Sequence, residues 1–469
     1  MIVEQIYTGC LAQGAYYIAS QGEAVVIDPL REVFPYMDRA VKDGVKIKYI
    51  LETHFHADFV SGHIDLAKKT GATIVFGPNA NPTFDCHIAK DNDVLKVGNV
   101  EIKVLHTPGH TMESTTYLLK DENGRDHAIF SGDTLFLGDV GRPDLAQKAA
   151  DLTQEQLAAT LFQSLRTKIM TLADDVIVYP GHGAGSSCGK NMSKETVGTL
   201  GEQKATNYAL RGDMSESEFV KEVTNGLTAP PAYFPENVRL NKTGYENLDS
   251  VLKRGLTPMN AAAFEAAAEE TDALIIDTRH QNDFIKGFVP QSIFIGINGN
   301  FAMWVGAMIP DINQKLLVVA DPGKEEEVLT RLSRVGYDQT IGFLQGGFDS
   351  WKASGKQIDT LDQVSARELS ELKDPSIVDV RKKSEYLSEH VENALNIELD
   401  YLNDKMALVP QDETFYIHCA GGYRSVIAAS ILKARGYHNM IDVAGGFSAI
   451  KETSILVSDY VCPTTLKNE

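Results

Sequence analysis

Two histidines and an aspartate follow a largely apolar run near the start of the chain. His54, His56 and Asp58 come just after residues 47–51. Imidazole nitrogens and carboxylate oxygens are the ligands that Zn, Fe and Mn take in proteins, and a loop at the end of a strand can bring them to one point. A single histidine pair would be weak evidence, because lone histidines are more often structural.

Three further ligand-type residues occur in comparable positions. Each follows an apolar strand, and they are His110, Asp133 and His182. Because the ends of such strands meet at one edge of a sheet sandwich, all these side chains can converge. The spaced set therefore predicts a metal site.

The set resembles the metallo-β-lactamase superfamily, whose pattern is HxHxDH followed by His, Asp and His. The resemblance covers residues 1–235 and implies an αββα sandwich. Phe59 stands where most members have a histidine. Since phenylalanine cannot ligate a metal, the second site of a two-metal cluster loses a ligand, and we expect one metal ion per chain.

Within the superfamily the sequence looks most like the persulfide dioxygenases, which hold one Fe(II) with two histidines and one carboxylate. Carried onto this sequence, those ligands are His54, His110 and Asp133. The resemblance gives the remaining residues the role of orienting ligands or bound water from outside the coordination shell; these are His56, Asp58 and His182. The alternative is that all of them bind Zn.

Two residues near the metal motifs are candidate substrate-binding groups. Arg142 could hold an anionic substrate, or it could pair with Asp139 or Asp144. Cys188 lies in a Gly/Ser-rich loop beside Lys190, whose charge would favour a thiolate. Cys188 is therefore either a sulfur-handling residue or an ordinary loop residue.

The length of 469 residues indicates three domains, predicted at residues 1–250, 255–356 and 360–469. In the first, the apolar pattern predicts helices at 34–43, 64–70, 154–172, 194–211 and 216–226, with an extended Pro-rich linker at 229–245. Beyond residue 250, strands and helices alternate, and residues 273–279 resemble residues 376–381. Two copies of one α/β unit with a parallel sheet are expected.

The second copy contains a cysteine between a strand and a helix. Cys419 ends an apolar strand, and a Gly-rich loop leads to Arg424 and a helical run. The N–H groups of such a loop, the helix N-terminus and the guanidinium all stabilise an anion. The stretch resembles the rhodanese active-site loop, which makes Cys419 the sulfur-accepting nucleophile, and its Cys-x4-Arg spacing is that of sulfurtransferases.

The first copy has no cysteine at the corresponding place. Its loop carries Asp321 and, shortly after, Glu325 and Glu326, whose charges would repel a persulfide. We therefore expect an inactive rhodanese-like domain that positions the active copy or forms an oligomer contact.

Charge and composition exclude several classes of function. The net charge of −20 argues against binding nucleic acid or an anionic membrane. No apolar run reaches the roughly 18 residues of a membrane span, and the N-terminus lacks a basic signal-peptide region. Five scattered cysteines form no disulfide framework, so a cytoplasmic protein is expected.

Together, the resemblances imply an Fe(II) persulfide dioxygenase coupled to a sulfurtransferase. The first would convert a low-molecular-weight thiol persulfide and O2 to sulfite, and the second would combine sulfane sulfur with sulfite to give thiosulfate. The role would be sulfide detoxification or sulfur assimilation, in a homo-oligomer. Two alternatives are a thioester hydrolase of the glyoxalase II type and a carrier or sensor that binds persulfide without oxidising it.

Overall fold

The chain forms two compact units in the computed structural model, which describes residues 1–147, 151–227 and 229–462. One unit contains Met1–Ser250 and Leu332–Gly336, and the other contains Val251–Arg331 and the chain from Tyr337 onward. Residues 463–469, the end of the third predicted domain, lie outside the described residues. Among the described residues, no helix is long and apolar enough to cross a bilayer.

Two six-stranded sheets form the frame of the first unit within the described residues. In the first sheet the strands lie in sequence order, and in the second the order is β12-β11-β10-β9-β8-β7. The strands are β1 Ile2–Thr8, β2 Gln13–Ser20, β3 Glu23–Ile27, β4 Lys46–Leu51, β5 Thr73–Phe76, β6 His87–Ile88, β7 Val94–Val97, β8 Val100–His106, β9 Thr115–Lys120, β10 Asp126–Gly132, β11 Ile177–Pro180 and β12 Gly198–Thr199.

The two sheets pack face to face, and helices cover their outer faces. Successive side chains of β2 alternate between layers: Tyr16 and Ile18 enter the core between the sheets, whereas Tyr17 packs beneath the outer helices. This alternation is the period of two that a strand imposes. On the other outer face, Leu157 and Leu161 belong to a third cluster. The predicted αββα sandwich is therefore confirmed.

The helices of this part of the chain agree with the sequence at some places and differ at others. They are Phe34–Asp43, His63–Thr70, Gln154–Ser164, Leu200–Thr206, Glu216–Thr224, Phe234–Thr243 and Leu248–Gly255. The predicted helix at 194–211 begins only after Thr199, which forms a capping box with Glu202. The predicted helix at 154–172 changes to a π-helical turn at Leu165–Ile169.

The predicted Pro-rich linker at 229–245 is wrong for most of its length, because Phe234–Thr243 is a helix. Pro235 lies in the first turn of this helix. The first N–H groups of a helix have no intrahelical partner, so a proline there removes nothing that the helix needs. The prolines mark where the helix starts.

The second unit contains two five-stranded sheets within the described residues, and both have the same strand order. The orders are β13-β17-β16-β14-β15 and β18-β22-β21-β19-β20, and all the strand pairs are parallel. The strands are β13 Pro258–Met259, β14 Leu274–Asp277, β15 Ile293–Phe294, β16 Leu316–Val319, β17 Thr340–Leu344, β18 Gln363–Ser365, β19 Ser376–Asp379, β20 Leu395–Asn396, β21 Phe415–His418 and β22 Met440–Ala444.

Helices cover both of these parallel sheets. They are Ala261–Thr271, Gln281–Phe284, Phe301–Met308, Glu325–Arg334, Gly347–Ala353, Ala366–Ser370, Lys383–Ser388, Arg424–Ala434 and Gly446–Ile450. The internal repeat extends to side chains: Arg279 pairs with Asp277 at 2.6 Å after β14, and Arg381 pairs with Asp379 at 2.6 Å after β19. Two rhodanese-like parallel-sheet domains follow the sandwich, as predicted.

Candidate metal centre and sulfur-transfer loop

Three of the predicted ligands meet at the ends of three strands. His54 follows β4, His110 follows β8 and Asp133 directly follows β10. The Nε2 atoms of His54 and His110 lie 3.9 and 3.6 Å from Asp133 Oδ2. All three side chains are buried, and their ligand atoms lie within 4.8 Å of one another. Their convergence could be predicted from the sequence, because the three strands end at the same edge of the sandwich.

The other ring nitrogen of each histidine is held by the surrounding chain. His110 Nδ1 donates to the carbonyl oxygen of Arg142 at 2.9 Å, and His54 Nδ1 lies 3.0 Å from Thr53 Oγ1. These contacts turn both Nε2 atoms towards Asp133. The close packing requires a glycine at 141, because a Cβ there would come within 2.9 Å of His110 Nδ1.

The donor set fits a single metal ion. Asp133 Oδ2 is buried and has no hydrogen-bond partner within the described chain, although it faces two imidazole nitrogens. An orphaned buried carboxylate oxygen is costly, and a cation between the three donors would satisfy it. Two imidazoles and one carboxylate are a set that suits ferrous iron with coordination positions left open.

Asp58 and His182 form a second buried group, which contacts the three proposed ligands. His182 Nδ1 donates to Asp133 Oδ1 at 2.8 Å, and His182 Nε2 lies 2.8 Å from Asp58 Oδ2. Although burial lowers it, the two carboxylates raise the pKa of His182 well above its usual value. His182 therefore orients the Asp133 carboxylate by holding its second oxygen.

Cys188 completes this group, but its surroundings differ from the sequence expectation. Burial, followed by the charges of Asp58 and Asp133, raises the pKa of Cys188 well above its ordinary value. Lys190 was expected to favour the thiolate, and that expectation is wrong. Its ammonium group instead donates to the backbone carbonyls of Glu222 and Asn225.

His56 lies beside His54, with a ring centroid distance of 4.3 Å, and belongs to a buried cluster with two carboxylates. Its Nε2 atom is 3.1 Å from Asp28 Oδ1 and 3.5 Å from Glu52 Oε2. Burial, and then the neighbouring Asp28, raise the pKa of Glu52 well above its usual value. The fully buried ring of Phe59 packs on His56 with a centroid distance of 4.3 Å.

Asp28 is a buried residue of this site that was not predicted from the sequence. It directly follows β3 with a φ of 50°, and its two oxygens accept hydrogen bonds from the backbone N–H and the hydroxyl of Thr53, both at 2.8 Å. The residue before His54 is thus fixed by a carboxylate from another strand. The available signal was an Asp-Pro pair after an apolar strand, which indicated only a turn.

Arg142 is engaged within the chain. Its guanidinium forms a two-pronged pair with Asp144 at 2.7 Å for each contact, and it also donates to the carbonyl of Ser187. The structure thus contains the ion pair that the sequence offered as the alternative. A substrate-binding role for Arg142 stays a prediction.

Cys419 lies where the sequence predicted it, between β21 and the helix Arg424–Ala434. Its side chain is buried, and Gly422 donates its backbone N–H to Cys419 Sγ at 3.1 Å. Gly422 has a φ of 93°, a left-handed conformation that favours glycine and turns this N–H towards the sulfur. The loop therefore provides at least one fixed hydrogen-bond donor for a sulfur anion.

Arg424 begins this helix, but its charge is shared with Glu385. Its Nη1 and Nη2 atoms donate to the two Glu385 oxygens at 2.6 and 2.8 Å. Although burial alone would raise it, this pairing lowers the pKa of Glu385. The sequence could not reveal Glu385 as a partner, and its presence reduces the free positive charge that Arg424 offers to Cys419.

Two family descriptions match the chain. "Metallo-beta-lactamase superfamily" covers residues 8–182, and "Rhodanese-like domain" covers residues 260–354 and 362–453. Mitochondrial persulfide dioxygenase ETHE1 of Homo sapiens is 32% identical over 43% of this chain and 72% of that protein. A probable hydroxyacylglutathione hydrolase of Schizosaccharomyces pombe is 30% identical over 42% of this chain and 71% of that protein.

A crystal structure described as a metallo-beta-lactamase from Staphylococcus aureus subsp. aureus COL is also similar. It matches with a TM-score of 0.64 and 32% identity over 73% of this chain and 98% of that one. The chain belongs to the metallo-β-lactamase superfamily, in a form fused to two rhodanese-like domains. Persulfide dioxygenases are among its relatives, so the predicted family and fusion are confirmed.

Proposed function

We propose that the chain is an Fe(II)-dependent persulfide dioxygenase fused to a thiosulfate sulfurtransferase. The observation that carries this proposal is the pair of imidazoles facing an orphaned carboxylate oxygen, with Phe59 in place of a further histidine ligand. The proposed ligands are His54, His110 and Asp133. The dioxygenase relatives support the same assignment.

The overall oxidation is R–SSH + O2 + H2O giving R–SH + SO3²⁻ + 2 H⁺, with one Fe(II) per chain. Bound ferrous iron would supply Lewis-acid binding of the persulfide sulfur and activation of O2. The protein's own residues hold that site: Thr53 and the Arg142 carbonyl fix the two imidazoles, and His182 fixes Asp133. Burial of all these groups excludes bulk water.

Sulfur transfer would proceed through Cys419. A persulfide reacts as R–S–S⁻ + Cys–S⁻ giving R–S⁻ + Cys–S–S⁻, which breaks one S–S bond and forms another. Sulfite then takes the outer sulfur, and thiosulfate and Cys–S⁻ are released. The reverse flux from thiosulfate is chemically equal. The N–H group of Gly422 stabilises the cysteine anion on either path.

The remaining predicted residues have proposed supporting roles. His56, Asp58 and His182 would orient ligands or hydrogen-bond to bound water, and Cys188 would handle sulfur beside the metal site, where it adjoins Asp58 and His182. We also propose that the protein acts in sulfide detoxification, forms a homo-oligomer and is located in the cytoplasm. The free cysteines are compatible with a reducing compartment.

A second candidate is thioester hydrolysis of the glyoxalase II type. The hydroxyacylglutathione hydrolases among the relatives favour it. Phe59 counts against it, since it removes a ligand from a two-metal cluster. A carrier or sensor that does not oxidise persulfide is the third possibility, and O2 consumption distinguishes it from the enzyme.

The test is a side-by-side assay of anaerobically purified, iron-loaded protein. O2 uptake is measured against a panel of low-molecular-weight persulfides, and thioester cleavage is measured with lactoylglutathione. We expect O2 uptake with stoichiometric sulfite and no thioester cleavage above that of Asp133→Ala. Thioester cleavage without persulfide-dependent O2 uptake would contradict the dioxygenase assignment.

A further inference from the structure

A cavity of about 370 Å³ adjoins the Cys419 loop. Both rhodanese-like domains contribute to it, although only one of them carries the cysteine. Its lining includes Gly421 and Gly422 of the loop and, from the middle domain, Gln281, Asn282, Ile285 and Lys286. The same Gly422 donates its N–H to Cys419 Sγ. One residue that lines the cavity is therefore in direct contact with the Cys419 sulfur.

Specific contacts hold the middle domain against this loop. Tyr423, which follows Gly422, donates its hydroxyl hydrogen to the carbonyl of Gly296 at 2.8 Å. A Cβ at Gly299 would come within 2.5 Å of the Tyr423 ring. In addition, the N–H of Phe294 donates to Ser430 Oγ at 2.9 Å in a buried position. The middle domain thus packs directly against the proposed sulfur-transfer site.

The chemistry of the cavity favours an anion. Among the described lining residues Lys286 is the one cation, and no carboxylate lines the cavity. Lys286 pairs with Asp283 at 3.3 Å, but the two side chains are 72% and 62% exposed, so the pair is screened and weak. Amide side chains and backbone N–H groups add hydrogen-bond donors beside the ammonium group.

The size of the cavity limits what it can hold. Small-molecule sites have volumes of about 300–1,000 Å³, so this one suits a low-molecular-weight ligand. The chain as a whole has a net charge of −20, which disfavours anions elsewhere on its surface. A local cation beside the cysteine loop is therefore a means of selecting an anionic co-substrate.

We propose that the cysteine-less middle domain forms the binding subsite for the thiol that exchanges sulfur with Cys419. Lys286 recognises the carboxylate or phosphate group of that thiol. The inference rests on the proposed sulfurtransferase function. In the direction of thiol persulfide formation, Cys–S–S⁻ + R–S⁻ gives Cys–S⁻ + R–S–S⁻, with R carrying the negative group. Lys286 is thus a specificity-determining residue contributed by a domain with no cysteine of its own at the loop.

The experiment varies the acceptor thiol at saturating thiosulfate in the full-length protein. Acceptors are glutathione, which carries carboxylates, coenzyme A, which carries phosphates, and uncharged 2-mercaptoethanol. Lys286→Gln should raise the KM for glutathione, coenzyme A or both by about three- to ten-fold, with kcat unchanged, because one weak charge contact is lost. The acceptor whose KM changes identifies the recognised anion. The KM for 2-mercaptoethanol should stay within two-fold.

Lys324→Gln is the matched control. Lys324 is also an exposed lysine of the middle domain and pairs with Glu327 three residues away at 2.9 Å, but it does not line the cavity. The Lys324→Gln substitution should leave the KM of every acceptor thiol unchanged. Equal changes in KM for charged and uncharged thiols would overturn the role of Lys286, and so would an unchanged KM for every thiol in Lys286→Gln. Neither result would overturn the sulfurtransferase function. Absence of transfer to any thiol in the wild type would overturn the sulfurtransferase function itself, and this inference with it.

Discussion

Replacing Asp28 with alanine should loosen the loop that presents His54. The Asp28 carboxylate accepts two hydrogen bonds from Thr53 and lies 3.1 Å from His56 Nε2. Thr53 Oγ1 in turn contacts His54 Nδ1. The substitution therefore acts on a proposed metal ligand through a residue outside the proposed ligand set.

The size of the effect follows from what the substitution leaves unsatisfied. A buried backbone N–H without a partner costs about 1–3 kcal/mol, and Thr53 would lose its acceptor. Asp28 has a φ of 50°, where alanine costs about 1–2 kcal/mol more than a residue that tolerates this conformation. The free energy of unfolding should fall by about 2–5 kcal/mol. Loss of such an outer partner lowers metal affinity by roughly 10–100-fold.

Asp28→Asn is the control, because asparagine tolerates the same φ and keeps an oxygen for the Thr53 N–H. Iron retained against graded chelator competition reports the affinity, and denaturant unfolding followed by circular dichroism reports the stability. The losses of iron affinity and of stability in Asp28→Asn should each be less than half of those in Asp28→Ala. If Asp28→Ala kept wild-type iron affinity and an unchanged denaturation midpoint, the positioning role of Asp28 would be refuted.

Three other outcomes are expected. Elemental analysis of anaerobically purified protein should give about one iron per chain, lost in His54→Ala and His110→Ala, whereas two zinc ions per chain would contradict the dioxygenase reading. Cys419→Ser should abolish transfer from thiosulfate to thiols while persulfide-dependent O2 uptake continues and sulfite accumulates; surviving transfer would mean that another thiol reacts. At one fixed pH, iodoacetamide alkylation of Cys419 should be slower in Arg424→Ala and faster in Glu385→Gln, because the first substitution removes a cation and the second removes the neutralising partner of that cation; unchanged rates would leave the backbone N–H groups alone in stabilising the thiolate.

Predictions from the sequence were most accurate where a regular local pattern determines the structure. His54, His110 and Asp133 each follow an apolar strand, so their convergence could be inferred from strand ends alone. The helix Phe34–Asp43 was predicted with its observed bounds, since its apolar spacing is regular.

Partners distant in the chain could not be predicted. Asp28 and Thr53 are 25 residues apart, and Arg424 and Glu385 are 39 residues apart, so no spacing rule connects them. Lys190 shows the converse error, since its nearness to Cys188 in sequence suggested an effect that burial and two carboxylates reverse. Tertiary contacts set the charge around a thiol, and sequence neighbours do not.

The shared strand order of the two rhodanese-like sheets has a consequence for biosynthesis. Adjacent domains of one architecture can exchange equivalent strands while both are unfolded, which is a characteristic failure of tandem repeats. Here β14 and β19 occupy the same place in their sheets, and each ends at an aspartate that pairs with an arginine two residues later. Because the ribosome releases β13–β17 first, we expect the cysteine-less domain to close its sheet before the cysteine-containing domain emerges, which reduces the opportunity for such an exchange.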